Sequence, residues 1–509
     1  MTEDLLVTAK STENDLPSDV KQLKAMVLML LGQIDDLQGQ LLYLKRQMFG
    51  KKSEKFNPHQ LLMFQDLYDE IQAKIDEEEP TPSPKKRTRP NANHNGRNPL
   101  PADLPRDTVE IEPSEEEKTC PDCGQEKQRI GEEVTEKLDF IPASIRVKRI
   151  VRPKFACKGC QGHVSIAELP AMAIDKGIPA EGLLAHVITS KYADHLPLNR
   201  LEGILKRHGV EIRVSTMCDW VGCCSDLLAP LRDRLREKIL ESAKIHCDAT
   251  VVPVKSKKRK GSTYDGFLWA YIGTDGDVYF EFTPTQSRAG PNAFFKGYQG
   301  YVQVDAHGSF EDLFQEGSAM TEVGCHSHAR RKFDQAMDHD PVRSTQALLI
   351  WKELYRIEKQ AKNDALTPEA LLQVRQEQAI PLLERLADHL TEWKPQLLPK
   401  SPIGKAVAYS LNQWEALKRY TQDPILSIDN NLAERTLRMV AIGRKNWMFA
   451  GSERGARRAA VIYSLVASCK LCGHDPFVYF RDVLTRISTH PAHRIDELLP
   501  SQWAPPSAD

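Results

Sequence analysis

The sequence lacks any apolar stretch long enough to cross a membrane. A membrane-spanning helix needs about 20 consecutive apolar residues, and the apolar runs of this 509-residue chain are far shorter. Its first residues, Met-Thr-Glu-Asp-Leu-Leu, also lack the basic segment that opens a signal peptide. These two absences predict a protein that neither spans a membrane nor is exported.

The chain also lacks a disulfide framework and an excess of charge. Eleven cysteines is an odd number, and several of them stand alone in apolar surroundings, which favours a reducing cytoplasm. The formal net charge is −1, so any surface for nucleic acid has to be local. An apolar content of 41% and a charged content of 27% are ordinary for globular protein, and the length allows about three domains.

A leucine repeat dominates residues 15–50. Leucine recurs at every seventh position, and a second set of apolar residues, partly β-branched, fills the other apolar position of the heptad. The pattern is typical of a parallel two-stranded coiled coil and predicts a homodimer. A single amphipathic helix packed on its own domain would give the same pattern. The leucines of the repeat are Leu23, Leu30, Leu37 and Leu44.

Two cysteine pairs follow a basic, proline-rich linker at residues 80–106, which either touches DNA phosphates or is a solvated tether. In residues 107–170, two Cys-x-x-Cys pairs are separated by 33 residues. Two such pairs can hold one structural Zn²⁺, and four unligated thiols are the alternative. Alternating residues at 144–151 predict a basic strand between the pairs. The predicted zinc ligands are Cys120, Cys123, Cys157 and Cys160.

Helical and strand-like patterns divide the remaining residues. Residues 178–240 have helical periodicity, and a helix pair within them fits a DNA-reading helix–turn–helix or an ordinary helical pair. Short apolar runs bounded by Gly, Asp or Pro predict strands from about residue 244 to 325. Long helical patterns return at 340–425, and residues 451–505 form a basic, helical C-terminal part. The fold class is therefore a multidomain α/β protein.

Three acidic residues stand out against this pattern. Asp248 interrupts one apolar strand-like run, Asp305 ends another, and Glu434 opens a basic helix. Mg²⁺ (or Mn²⁺) binds a few carboxylates together with water and phosphate oxygens, and paired ions drive phosphodiester chemistry. If a mixed sheet places the two aspartates on neighbouring strands and a helix adds the glutamate, the three can hold two ions.

Each acid also has a simpler interpretation. Glu434 lies three residues after Asn431, which is the spacing of a helix capping box. Asp305 fits a turn at the end of a strand, because Gly308 follows it. Asp248 lies between apolar runs, where an unpaired carboxylate would be costly to bury, and this favours a cation partner.

Basic residues cluster near the candidate acids. Seven of them lie from Arg435 to Arg458, with Trp447 and Phe449 among them. This composition is typical of a surface that holds DNA, although a solvated basic face gives it too. His328, three residues after a cysteine, is expected to order or assist the acidic site. The DNA-binding candidates are Arg330, Arg331, Lys332, Arg435, Arg438, Arg444, Lys445 and Arg457.

Further motifs are spread over almost the whole chain. They include residues 246–254, residues 300–305, both cysteine pairs, Cys325-His-Ser-His-Ala-Arg-Arg-Lys-Phe333 and Asn430-Asn-Leu-Ala-Glu-Arg435. With these motifs the chain resembles the DDE transposases of bacterial insertion sequences, most closely those of the IS66 group. One residue departs from that group, because Ala249 stands where its members are expected to have glutamate.

The resemblance implies a ribonuclease-H-like catalytic core at 241–450, with a helical insertion at 340–425 and Asp248, Asp305 and Glu434 as the metal-binding acids. It also implies a leucine-zipper-like N-terminus, a zinc-binding module and companion proteins encoded by the same element. We therefore expect a transposase, in the cytoplasm with the nucleoid, that cuts the terminal inverted repeats of its element and joins them to target DNA. An inactive or domesticated DNA-binding regulator and a purely hydrolytic nuclease are the alternatives.

Overall fold

The computed structural model describes residues 145–152, 154–155, 165–166, 171–174, 177–256 and 261–505. The predicted coiled coil at 15–50, the linker at 80–106 and all four candidate zinc ligands lie outside these residues. The described residues from 148 onward belong to one structural unit. No helix in the described part of the chain is long and apolar enough to cross a membrane.

A pair of two-residue strands follows the first described residues. Strand β1 (Lys154–Phe155) pairs antiparallel with β2 (Ser165–Ile166). The strand predicted at 144–151 is wrong for the part that is described, because residues 145–152 have no strand geometry. Apolar side chains there are exposed, Val147 by 95%. Alternation alone does not make a strand where no neighbouring strand supplies hydrogen bonds.

A five-stranded mixed sheet forms the centre of the structure. Its strands are β3 (Lys244–Lys255), β4 (Thr263–Ile272), β5 (Val278–Thr283), β6 (Gly300–Gln303) and β7 (Met320–Val323). Their order across the sheet is β5-β4-β3-β6-β7. Strand β4 runs antiparallel to β3 and β5, whereas β6 runs parallel to β3 and β7 runs parallel to β6. The strands predicted between about residues 244 and 325 all exist, but β6 ends two residues before Asp305.

Helices surround the sheet and fill the region between residues 341 and 421. Three precede it: α1 (Glu181–Tyr192), α2 (Leu198–Arg207) and α3 (Val214–Leu240). Helix α4 (Ala289–Phe294) lies between β5 and β6. The later helices are α5 (His326–Ala336), α6 (Pro341–Asn363), α7 (Pro368–Val374), α8 (Ile380–Trp393), α9 (Pro402–Asn412), α10 (Trp414–Lys418), α11 (Asn431–Trp447), α12 (Glu453–Leu471) and α13 (Pro476–Arg486).

The two faces of the sheet pack against different helices. Because side chains alternate along a strand, Leu268 and Ala270 of β4 join one apolar cluster, while Trp269 and Tyr271 join another. The first cluster contains residues of α1–α3 and of α11–α13, and the second contains residues of α4. The even-numbered residues of β3 therefore face α11.

A buried arginine ties the helical insertion to the segment that leads into α11. Arg375 opens a π-helical turn (Arg375–Ala379) between α7 and α8. Pro381 follows that turn, and its missing N–H removes an α-helical hydrogen bond. The Arg375 guanidinium donates to both carboxylate oxygens of Glu358, each at 2.8 Å, and to the carbonyl oxygens of Tyr420 and Leu426 at 2.9 and 3.0 Å.

Helix α12 covers the outer edge of the sheet at β5. The N–H groups of Val278 and Phe280 donate to the hydroxyl oxygens of Ser468 and Ser464, each at 2.8 Å. The two serines are four residues apart and therefore lie on the same side of α12. They supply β5 with the acceptors that a further strand would otherwise provide.

Candidate acidic site

The parallel pairing of β3 and β6 brings the two aspartates to the same level of the sheet. Register pairs His246 with Gln303, and continuing it by two residues places Asp248 beside Asp305. Val304 still donates to the Val323 carbonyl at 3.1 Å, so the pairing of β6 with β7 extends beyond the strand. Both aspartates point to the face of the sheet that carries α11, as alternation along each strand requires.

The backbone around Asp305 is held in an unusual conformation. Ala306, the next residue, has φ +59°, a left-handed conformation that residues other than glycine and asparagine rarely adopt. The Tyr409 hydroxyl of α9 donates to the carbonyl oxygen of Asp305 at 3.0 Å, and the N–H of His307 donates to its Oδ1 at 3.2 Å. The insertion thus helps to set the direction of this carboxylate.

Glu434 reaches the same place from the first turn of α11. Asn430, the residue before the helix, is fully buried. Its side-chain N–H donates to the Cys247 carbonyl at 2.9 Å, and its Oδ1 lies 2.9 Å from His246 Nδ1. Because burial lowers the pKa of His246 to about 3, this imidazole is neutral and donates its proton to Asn430.

Asn430 also joins a third element. Its backbone N–H donates to the Sγ of Cys325, at 3.2 Å, directly before α5. The capping-box interpretation of Asn431 and Glu434 does not match this arrangement, because α11 starts at Asn431 and the Asn431 side chain donates to Asp429 at 2.6 Å. Asn430 therefore fixes the start of α11 against β3, next to Asp248.

His328 and Arg331 of α5 lie among the three carboxylates. An Arg331 nitrogen lies 3.3 Å from Glu434 Oε2, and another lies 3.4 Å from His328 Nε2. Since an arginine only donates, Nε2 of His328 accepts and Nδ1 carries the proton. This Nδ1 lies 3.3 Å from Cys325 Sγ and 3.6 Å from Glu434 Oε1. Burial lowers the pKa of His328, which keeps the ring neutral. Its Nε2 also lies 3.9 Å from Asp305.

The carboxylates repel one another. Burial, followed by the negative charges of Asp305 and Glu434, raises the pKa of Asp248 to about 7, although its Oδ1 accepts the Ala249 N–H at 2.7 Å and Arg331 acts in the opposite direction. Asp305 and Glu434 are themselves partly exposed, by 22% and 29% of their side chains. The site therefore combines three neighbouring acidic groups with partial exposure to solvent.

Oxygen donors of this kind fit a hard divalent cation such as Mg²⁺. A cation would relieve the repulsion that raises the pKa of Asp248. In the arrangement seen here, Arg331 and His328 hold Glu434, and no three cation-binding side chains converge on one point anywhere in the described residues. For all three acids to share a cation, Glu434 would have to exchange its contact with Arg331 for one with the cation.

The predicted basic residues fall into different environments. Arg435, Arg438 and Lys445 are exposed on α11, whereas Arg444 turns inward and donates to the Val251 carbonyl of β3. Arg457 of α12 lies over the Phe282 ring, 5.6 Å from its centroid.

Two further candidates share α5 with Arg331. Arg330 is half-buried on that helix. Lys332 lies 4.4 Å from the centroid of the Tyr409 ring, and burial lowers its pKa. Arg331 thus contacts Glu434 directly, and the charge of Lys332 interacts with that of Asp305.

Comparison with protein families gives matches along most of the chain. A family model described as "Transposase IS66 family" matches residues 176–458, which include all three acids. One for the "zinc-finger binding domain of transposase IS66" matches residues 117–161, which include the four predicted zinc ligands. The "IS66 C-terminal element" matches residues 464–501, and "Transposase C of IS166 homeodomain" matches residues 36–109.

Curated relatives cover the same length. The uncharacterized protein y4hP of Sinorhizobium fredii is 34% identical over 438 residues, which are 81% of this chain and 78% of the relative. The uncharacterized proteins y4jD and y4qI of the same organism are 32% and 31% identical. Each covers 96% of this chain, and the matches span 97% and 98% of those relatives.

Proposed function

The chain belongs to the IS66 family of transposases, and from that membership we propose that it cuts DNA at the ends of an insertion sequence and joins the freed ends to target DNA. The observation that carries this proposal is that Asp248, Asp305 and Glu434 lie near one another on one face of the sheet, although their side chains do not converge on one point in this arrangement of the described residues. The family models support zinc binding and DNA binding in the same chain.

The sheet supports assigning the core to the ribonuclease-H-like class. If the five strands are numbered 1 to 5 along the sequence, their order across the sheet is 3-2-1-4-5. Strand 2 runs antiparallel to strands 1 and 3, strand 4 runs parallel to strand 1, and strand 5 runs parallel to strand 4. The first acid lies on the central strand, the second follows the neighbouring parallel strand, and the third comes from a helix on one face. We assign this class from the topology together with the position of the acids.

The acids are proposed to hold Mg²⁺ (or Mn²⁺), which activates a nucleophilic oxygen and stabilises the leaving oxygen of a phosphodiester. Asp248 lies on β3, and hydrogen bonds to the backbone and side chain of Asp305 fix its position after β6. The hydrogen bonds of Asn430 position Glu434 at the start of α11. His328 lies between Asp305 and Glu434 as a neutral hydrogen-bonding group. Arg331 neutralises Glu434 and, once released from it, can contact a phosphate of the DNA.

The remaining proposals concern assembly and location. The four cysteines at 120, 123, 157 and 160 are proposed to share one Zn²⁺, and the heptad at 15–50 to join two copies. We also propose that the protein acts in the cytoplasm on nucleoid DNA, without a membrane partner, and that companion proteins of the same element take part. Its DNA partners are the terminal inverted repeats and the target.

The proposal is tested with labelled DNA that carries the ends of the element. Wild-type protein with Mg²⁺ should cut and join these ends, whereas Asp248→Asn, Asp305→Asn and Glu434→Gln should bind them but not cut. Asp265→Asn, an exposed aspartate of β4, is the matched control and should cut normally. Binding without any cutting by wild type would favour a DNA-binding regulator, and cutting without joining would favour a nuclease. Undiminished cutting by Glu434→Gln would remove Glu434 from the chemistry.

A further inference from the structure

We propose that the turn after α11 inserts two apolar side chains between base pairs of the bound DNA, about six base pairs from the cut. The inference rests on the proposed function and assigns a role to a surface that the acids do not explain. The two side chains are Met448 and Phe449, hereafter the tip. Met448 is 65% exposed and Phe449 is 40% exposed, which is unusual for large apolar residues at adjacent positions.

One face of α11 leads from the acids to the tip. Arg438, Ala441 and Lys445 follow Glu434 at intervals of four, seven and eleven residues, and such residues lie on one side of a helix. Arg438 and Lys445 are exposed. Exposed cations in line with the acids fit the phosphates of a DNA strand. Ile442, also exposed, adds apolar surface next to this line.

Distance along the helix sets where the tip meets the DNA. Met448 lies 14 residues after Glu434, which corresponds to about 21 Å at the rise of an α-helix. Consecutive nucleotides of one DNA strand are about 3.4 Å apart, so the tip lies on the order of six base pairs from the phosphate held at the acids.

The tip is held outward by its backbone. The N–H of Ala450 donates to the Pro253 carbonyl at 2.8 Å, and the N–H of Lys255 donates to the Ala450 carbonyl at 2.9 Å. This pairing fixes the turn to the end of β3, the strand that carries Asp248. Met448 has φ +60°, a strained conformation for methionine. The fold thus maintains a strained turn that exposes two apolar side chains beside a line of cations.

The exposed cations of α11 and the apolar tip together favour double-stranded DNA as the binding partner of this surface. An apolar helix of a protein partner could cover the tip but would leave the two cations of the α11 face without anionic partners. DNA offers phosphates to the cations and apolar base faces to the tip. Apolar side chains that enter a base step unstack and kink the duplex, and stacking of a base on an aromatic ring strengthens binding.

The test uses full-length protein and a duplex with the element's own terminal repeat, without added Mg²⁺ so that cutting does not interfere. 2-Aminopurine, which fluoresces when it is unstacked, replaces one base at a time. Wild type should raise the fluorescence in a window of one or two positions about six base pairs from the cut. Met448→Ala/Phe449→Ala should abolish that rise and weaken binding by about fivefold or more, which is the contribution of one stacked base.

Leu471→Ala is the matched control. Leu471 is 41% exposed at the far end of α12, about 27 Å along that helix from its start next to the tip. This variant should keep both the fluorescence rise and the affinity. Arg438→Gln/Lys445→Gln should instead reduce the salt dependence of binding by about 0.9 in slope for each lost cation.

Two results would overturn the proposal. One is a uniform fluorescence profile with wild type, or a profile that the tip variant leaves unchanged. The other is a tip variant that binds DNA normally but alters self-association, which would assign the tip to a contact between copies. Failure of the proposed function is distinguishable, because wild type would then not cut even when the local fluorescence rise is present.

Discussion

Replacing Asp248 with asparagine should stabilise the metal-free protein while abolishing its chemistry. Burial and the charges of Asp305 and Glu434 raise the pKa of Asp248 to about 7 from the ordinary value of 3.8. The folded state therefore prefers a neutral side chain at this position, and asparagine is neutral at every pH. The Oδ1 of asparagine can still accept the Ala249 N–H that Asp248 accepts at 2.7 Å.

The stability that Asp248→Asn gains over wild type should increase with pH. Below about pH 4 the aspartate is protonated in both folded and unfolded states, so the two proteins should be equally stable with respect to this group. Between about pH 4 and 7 the unfolded aspartate loses its proton first, so the folded wild type becomes progressively less stable. The full shift is about three pKa units at about 1.4 kcal/mol each, or about 4 kcal/mol. This is an upper limit, since water reaches the half-buried carboxylate.

Urea unfolding of both proteins in the presence of EDTA, from pH 4 to pH 8, measures the difference. Asp248→Asn should become more stable than wild type as pH rises and should keep its advantage above pH 7. Asp265→Asn, the same change at an exposed position, should show no such trend. Added Mg²⁺ should stabilise wild type more than Asp248→Asn, because a ligand that binds the folded state stabilises it. A difference that does not change with pH would refute the raised pKa of Asp248 that burial and the neighbouring charges cause.

Three other perturbations test separate parts of the structure. Asn430→Ala should lower DNA cutting at least about tenfold, since it removes the contacts that place α11. DNA affinity, measured by anisotropy, should stay unchanged. An equal loss of cutting with Asn431→Ala, at a partly exposed position, would contradict this role. Arg375→Leu should destabilise the protein by about 3 kcal/mol in urea unfolding, because it removes the buried donor of the Glu358 carboxylate and of the Tyr420 and Leu426 carbonyls; a neutral effect would show that the insertion is held by other contacts. Cys120→Ser should remove most of the zinc measured by atomic emission, whereas Cys218→Ser, at an exposed cysteine, should leave the zinc content unchanged.

Local pattern in the sequence was sufficient for the five strands of the central sheet. The apolar runs that predict β3 and β6 also place Asp248 within one strand and Asp305 just after another, because alternation along a strand is a local pattern. The parallel pairing of these strands joins residues more than 50 positions apart and was only assumed. The helical pattern at 340–425 likewise predicts the helices seen between residues 341 and 421.

Contacts between distant residues were not predictable in this way. Asn430 binds the backbone of Cys247, 183 residues earlier, and no periodicity encodes such a pair. Arg444 counts as one basic residue among seven in the sequence, yet it turns into the sheet because α11 crosses β3 at that point. The pairing of Arg331 with Glu434 depends equally on how α5 and α11 meet. An asparagine directly before a helix that carries Glu434 in its first turn was the available signal for Asn430.

The serines of α12 limit how copies of this protein can associate. An open sheet edge allows a second chain to add a strand, which leads to continuous stacking of subunits or to aggregation. Because Ser464 and Ser468 already accept the N–H groups of Phe280 and Val278, that route is hindered along this part of β5. Copies brought together on a pair of DNA ends would then have to meet through side-chain surfaces, and such contacts can form and separate as the reaction proceeds.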